Sequence, residues 1–274
     1  MNICLIGDGL TNLCLAKTLV DKNIKVSLYY SPKNRILSNN RTIGISKNNY
    51  DFLQKKIIQL DKLSWPVNYI KIFSNQNRES NLLKFGDKNK KLFYLIENKK
   101  LYKKIDNILK LKKNFKKLKI KNKFFYKNIM EKNNFNIVIN SEKNNLISKK
   151  IFYKKILKNY KSTAFTTIIK HKKCTNNIAY QIFTNFGPLA FLPLSNSKTS
   201  IVYSAYDNSH LNEKKVKNLI FKFNKFYKIK KLDELEKFEL NFSFSRNIFY
   251  KNILCFGDPI HKIHPLAGQG FNMT

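Results

Sequence analysis

Hydrophobic positions in the first thirty residues follow two periods in turn. Residues 2–6 form a short apolar run, Gly7-Asp8-Gly9 breaks it, residues 10–20 repeat apolar side chains at helical spacing, and residues 24–29 form a second apolar run. That order predicts strand, tight turn, helix and strand, a parallel βαβ unit opening a doubly wound sheet. Residues 47–60 and 98–112 read as further helices, the second with Leu101, Ile105, Ile108 and Leu109 on one face. Between Lys103 and Lys127 there are eleven lysines and one acid, Asp106, a pattern that predicts exposed helix and hairpin. Residues 135–139 read as a buried strand. Over residues 163–205 the pattern changes to four short β-rich runs at 164–169, 178–184, 189–194 and 199–204, with polar or Gly-Pro punctuation. A helical stretch at 213–226 follows, and 253–256 returns as a short strand entering a glycine-rich end. No internal repeat is visible. The layout predicts an α/β nucleotide-type domain built from the start, part of the middle and the end of the chain, with a mostly antiparallel sheet inserted.

Composition narrows the class. The chain has 274 residues, 43% of them hydrophobic, which supports a real core and excludes wholesale disorder. No run approaches the roughly 18 to 20 apolar residues of a membrane-spanning helix, and no basic leader with an apolar core opens the chain, so a soluble, non-exported protein is expected. Cys4, Cys14, Cys174 and Cys255 form no C-x-x-C pair and no metal-ligand spacing. The formal charge of +36 comes overwhelmingly from lysine spread along the whole chain. It reads as a solvated surface, with loose attraction to anionic lipid as the second reading. Arginine, the residue of bidentate phosphate and guanine contacts, is scarce, and a nucleic-acid partner is not expected.

Five of the eight glycines fall in two places, Gly7 and Gly9, then Gly257, Gly268 and Gly270. At the first, Gly7 allows the strand-to-helix turn and Gly9 lets the backbone approach a pyrophosphate at the N-terminus of the next helix. The pattern is G-x-G-x-x-N, with Asn12 in the third place and Tyr30 near where an acid is expected at the end of the second strand. Strand-to-helix turns without a cofactor also need glycine, so this motif alone leaves dinucleotide binding open.

The second place reads Gly257-Asp258-Pro259-Ile260-His261-Lys262-Ile263-His264-Pro265-Leu266-Ala267-Gly268-Gln269-Gly270-Phe271-Asn272. It resembles the second FAD fingerprint of the aromatic-hydroxylating flavoprotein monooxygenases, especially their ubiquinone-biosynthesis branch, the polyprenyl-methoxyphenol and polyprenylphenol hydroxylases. Arg41-Thr42-Ile43-Gly44-Ile45-Ser46 is similar to the branch's R-x-x-A-L-S segment. Residues 95–101 with Asn98 resemble its strand leading into a helix, and residues 183–194, F-T-N-F-G-P-L-A-F-L-P-L, resemble its F-T-x-x-G-P-L-A-x-L-P-L stretch.

The resemblance implies a Rossmann-like FAD-binding domain of the p-hydroxybenzoate-hydroxylase type with an inserted, mostly antiparallel substrate domain. The expected division is FAD-binding over 1–66, 96–160 and 246–274, and substrate domain over 67–95 and 161–245. Asp258 would accept hydrogen bonds from the ribityl hydroxyls, while Pro265 and Gly268, Gln269 and Gly270 would bring backbone N–H groups to the isoalloxazine. The implied cofactor-binding set is Gly7, Gly9, Asn12, Arg41, Gly257, Asp258, Pro265, Gly268, Gln269, Gly270 and Asn272. Gly187, Pro188 and Pro265 would border the substrate cavity, with Phe183, Phe186 and Phe191 as core aromatics. No general base is assigned. NAD(P)H or another donor would reduce FAD, and oxygen would form a flavin hydroperoxide that attacks a polyprenylated phenol.

Such a substrate implies a cytoplasmic enzyme lying transiently on the anionic inner face of the membrane. His261 and His264 are expected as capping or hydrogen-bonding residues rather than metal ligands, and His171 and His210 as surface or sheet residues. The family's G-A-D-G falls at Asn140-Ser141-Glu142-Lys143, where both glycines are replaced, and the chain stops at Thr274, short of where family members end. The alternatives are a degenerate, non-catalytic scaffold in a membrane-associated biosynthetic assembly, or a flavin reductase or dehydrogenase that does not activate oxygen.

Overall fold

A computed structural model describes residues 1–274 except 33–39, 76–81, 133, 207–210, 263–268 and 274. The opening βαβ unit is β1 (Asn2–Ile6), α1 (Leu10–Asp21) and β2 (Lys25–Tyr30). Leu10, Leu13, Ala16 and Val20 of α1 are buried, three and four residues apart, and lie with Ile3, Leu5, Val26 and Leu28 in one core. The chain continues through β3 (Thr42–Ser46), α2 (Lys47–Lys56), β4 (Ser64–Val67), β5 (Tyr69–Ser74), β6 (Leu83–Gly86) and β7 (Phe93–Glu97). After α3 (Asn98–Lys110) come β8 (Phe115–Lys119), α4 (Phe124–Glu131), β9 (Ile137–Asn140) and α5 (Leu146–Lys150).

The second half is strand-rich, with β10 (Lys155–His171), β11 (Ile178–Thr184), β12 (Gly187–Ser195) and β13 (Lys198–Tyr206). Then follow α6 (Glu213–Phe223), β14 (Ile229–Leu232), β15 (Glu236–Ser245), β16 (Phe249–Tyr250), β17 (Ile253–Cys255), β18 (His261–Lys262) and α7 (Gln269–Asn272).

Three sheets result. The first has the order β16-β17-β9-β1-β2-β8, parallel apart from the terminal β16. The second runs β18-β15-β10-β13-β12-β11-β5-β6 with β14 against β10, and is antiparallel except where β11 meets β5. A small third sheet, β3-β7-β4, is antiparallel.

Several elements differ from the sequence expectation. Residues 115–119, expected in a hairpin, form a strand parallel to β2 at the sheet edge, with Phe115 buried and lysines outward. Lysine is tolerated there because an edge strand keeps one side in water. Ten of the eleven lysines between 103 and 127 are exposed, but Lys117 is not. β10 begins at Lys155, so residues 155–160 pair with β15 in the second sheet. β7 joins β3 and β4 rather than that sheet, because Tyr94 and Ile96 are buried in the α1 core. Phe183 and Phe186, expected in the core, are exposed, whereas Phe191 is fully buried. The turn between β11 and β12 is Asn185-Phe186, and Gly187-Pro188 opens the strand that follows.

Candidate cofactor site

β1, β9 and β17 are adjacent and parallel, so their C-terminal ends and the loops after them meet although they come from opposite ends of the chain. Gly7 follows β1 with φ 102°, and a Cβ there would lie 2.7 Å from Ser141 Oγ and 2.9 Å from Glu142 Cγ. Only glycine satisfies both the backbone angle and the close approach. Gly9 caps α1 from an extended conformation, and a Cβ on it would meet nothing within 4 Å. Gly9 puts no side-chain cap on the first turn of α1, and a helix N-terminus favours an anion. Gly257, after β17, has φ 70° and packs against Thr11, whose Cγ2 would lie 3.3 Å from a Cβ. Asp258 follows with its side chain 59% exposed and its Oδ2 3.3 Å from Lys143 Nζ.

Asn12 and Asn272, counted among the cofactor contacts by sequence, both make side-chain hydrogen bonds within the protein. Asn12 is completely buried, and its Nδ2 donates to the carbonyls of Ile6 (3.1 Å) and Gly7 (2.7 Å), tying the glycine turn to the helix. Asn272 Nδ2 donates to Gly44 O at 2.9 Å, and its Oδ1 accepts from Ser46 N and Asn49 Nδ2, both at 3.2 Å. The last fingerprint is therefore fastened to the Arg41–Ser46 segment. Arg41 is exposed, and its carbonyl accepts from Asn98 N at 3.0 Å. Gln269 and Gly270 open α7. Pro265, Gly268, His264 and His210 lie outside the described residues.

Gly187 has φ 129°, and a Cβ there would sit 2.0 Å from Ser204 O, so close strand packing accounts for this glycine. Pro188 lies opposite Phe183 in the β11–β12 pair. His171 is a buried sheet residue, with Nε2 3.0 Å from Thr199 Oγ1. Among the described residues, no cluster of three or more His, Cys, Asp or Glu could hold a metal ion.

The loop that replaces G-A-D-G is held by amides. Asn140 Nδ2 donates to Ser148 Oγ at 2.8 Å, its Oδ1 accepts from Asn145 Nδ2 at 2.7 Å, and Asn145 caps α5 by accepting from Ser148 N.

Sequence reasoning missed one group at the edge of this site. Lys117 Nζ lies 2.6 Å from Asp106 Oδ1, 2.8 Å from the Tyr102 hydroxyl and 3.4 Å from Asp8 Oδ2, and the Tyr102 hydroxyl donates to Asp8 Oδ2 at 2.8 Å. Burial opposes ionisation of Asp106, but Lys110 and Lys117 outweigh it and hold the carboxyl below its ordinary value. Burial likewise opposes the Lys117 charge, and Asp106, Tyr102 and Asp8 prevail, raising it. The cluster borders a cavity of about 320 Å³ lined by Tyr30, Asp106, Lys110, Phe115 and Lys117. The available signal was the single acid in the lysine-rich stretch, four residues from both Tyr102 and Lys110.

No family model matches the chain, and no curated protein matches it in sequence. Solved structures do. p-Nitrophenol 4-monooxygenase PnpA from Pseudomonas putida DLL-E4 superposes with a TM-score of 0.76 at 12% identity, over 98% of this chain and 76% of that one. PqsL of Pseudomonas aeruginosa, described as a probable FAD-dependent monooxygenase, gives 0.75 at 10% identity over 99% and 82%. 2-Methyl-3-hydroxypyridine-5-carboxylic acid oxygenase gives 0.73 at 11% over 99% and 78%. The chain has the mixed α/β fold of these proteins, a Rossmann-like domain joined to a large sheet.

Proposed function

We propose that the chain is an FAD-dependent monooxygenase that hydroxylates an aromatic ring. The observation that carries this reading is that the Gly7-Asp8-Gly9 turn and Gly257-Asp258 follow parallel strands on either side of β9, with Gly257 packed on Thr11 of α1, in the fold described above. The residues present fit the cofactor. Gly7 makes the turn against Ser141 and Glu142, Gly9 leaves the space in front of α1 open for a diphosphate, and the helix N-terminus favours its charge. Asp258, exposed at the end of a strand, is an acceptor for the ribityl hydroxyls. By resemblance, the isoalloxazine edge would fall to the backbone of Pro265 and of Gly268 to Gly270.

Bound FAD supplies electron transfer from NAD(P)H or another donor and the activation of oxygen. The chain's own tasks are to position the ring, exclude water and present fixed dipoles to developing charge. The substrate we favour is a polyprenylated phenol of ubiquinone biosynthesis. Support for that choice comes from the motifs similar to the ubiquinone-branch hydroxylases, carried by residues 41–46, 183–194 and 257–272. Such a lipid substrate brings the protein to the inner face of the membrane, where a charge of +36 favours anionic headgroups.

One observation favours a second reading, a non-catalytic scaffold: Tyr30 stands at the end of β2, and Glu142 and Lys143 stand where the family has Asp and Gly. Purified protein supplied with FAD, NAD(P)H and a prenylated phenol separates the two. Oxygen uptake coupled to a hydroxylated product supports the enzyme, and FAD binding without turnover by any donor supports the scaffold.

A further inference from the structure

Lys143 occupies a place where the resembling family carries glycine, and its side chain reaches into the convergence of strand ends. Its ammonium is 3.3 Å from Asp258 Oδ2, and its side chain is mostly buried, at 29% exposure. Two further lysines approach from the second sheet. Lys155 on β10 lies opposite Ser245, and Lys262 on β18 lies opposite Ser243, so the two flank the end of β15. Both repel Lys143, whose proton affinity is lowered first by burial, with Asp258 opposing. Three ammonium groups thus act on one another here against the single carboxylate that Lys143 meets, a positive excess, and Gly257, next to Asp258, packs against Thr11 in the first turn of α1. Asp258 has two oxygens, and Lys143 engages Oδ2, so Oδ1 remains an acceptor for a ligand hydroxyl.

We propose that Lys143 is a cofactor-binding residue of this chain, placing its ammonium against the diphosphate of FAD while steadying Asp258 for the ribityl chain. The inference rests on the flavoprotein reading above and deepens it. In the resembling family the backbone of a glycine-containing loop lines this place. Here the amides of Asn140 and Asn145 hold the loop, leaving residue 143 free to carry a charge.

The test is FAD titration of the full chain, followed by flavin fluorescence, for wild type, Lys143→Gln and Lys143→Arg at low and high salt. Thermal melting of each apo protein confirms that it is folded. The glutamine variant should bind FAD roughly tenfold more weakly, the size of one charge-assisted hydrogen bond, and arginine should restore most of the loss. The difference should narrow as salt screens the charge. Equal or tighter FAD binding by Lys143→Gln would overturn the proposal, since the lysine would then only neutralise Asp258 or obstruct the site. A loss of the same size at both salt concentrations would overturn it too, assigning the residue a packing role. Wild type that binds no FAD would instead overturn the flavoprotein reading itself.

Discussion

Replacing Lys117 by methionine keeps most of the aliphatic stem and removes one charge from a buried network. The lysine side chain is 12% exposed, and its partners Asp106 and Asp8 are 8% and 10% exposed. Removing one member of a buried pair costs about 3–5 kcal/mol when the partner is left alone. Here the loss is softened, because Asp106 keeps Lys110 at 2.8 Å and Asp8 keeps the Tyr102 hydroxyl. About 2–3 kcal/mol is therefore expected, or roughly 4–12 °C in Tm for a chain of this size.

The effect has a defined pH window. Asp106 is held below its ordinary 3.8 in the folded state, so its contribution is present above that value and lost as pH falls through the folded one. Lys117 is raised above 10.5, so its contribution is present below that value and lost as pH rises through the folded one. Calorimetry of both proteins should show a constant gap from about pH 4 to about pH 10 that closes in acid. A Tm drop under about 1 °C at neutral pH would mean that the pair behaves as a surface ion pair, refuting the buried network.

Gly7→Ala must place a Cβ between Ser141 Oγ and Glu142 Cγ at a positive φ, so it should lower stability by about 1–3 kcal/mol and weaken FAD retention. Denaturant unfolding and released-flavin fluorescence measure the two effects, and an unchanged protein would show that the turn is built differently. Asp258→Ala should weaken FAD retention far more than Lys119→Ala, because hydrogen bonds from the ribityl hydroxyls to a charged acceptor contribute about 1.5–3 kcal/mol. Equal flavin content in the two variants would remove the role assigned to Asp258. Asn272→Ala removes the side-chain bonds to Gly44, Ser46 and Asn49 and should cost about 1–2 kcal/mol, read as a lower Tm.

The first βαβ unit was legible because its apolar runs, glycine turn and helical spacing all point to one structure. β11 has the bounds the sequence predicts, 178–184, since its β-rich run is bounded by polar residues on both sides. β8 was not legible: Phe-Lys-Lys-Leu-Lys carries too few apolar residues, and only its place at a sheet edge explains it. Gly7 and Gly257 could be picked out because both turns need a positive φ, which few residues other than glycine adopt. Asn12 and Asn272 could not be sorted in the same way, since whether an amide faces a ligand or a carbonyl depends on partners distant in the chain. Lys143 and Asp258 are more than a hundred residues apart, and no spacing rule joins them. Lys117 was hidden among ten exposed lysines, because burial rather than residue type sets it apart.

Whether the two glycine turns form one FAD site is tested most directly by visible absorption. Purified chain is incubated with excess FAD, freed of unbound flavin by gel filtration, and its spectrum is recorded against protein concentration. A protein-bound flavin spectrum at close to one FAD per chain, reduced by the Asp258→Ala change, is the expected result. A colourless protein fraction with an intact fold by circular dichroism would contradict the flavoprotein reading outright.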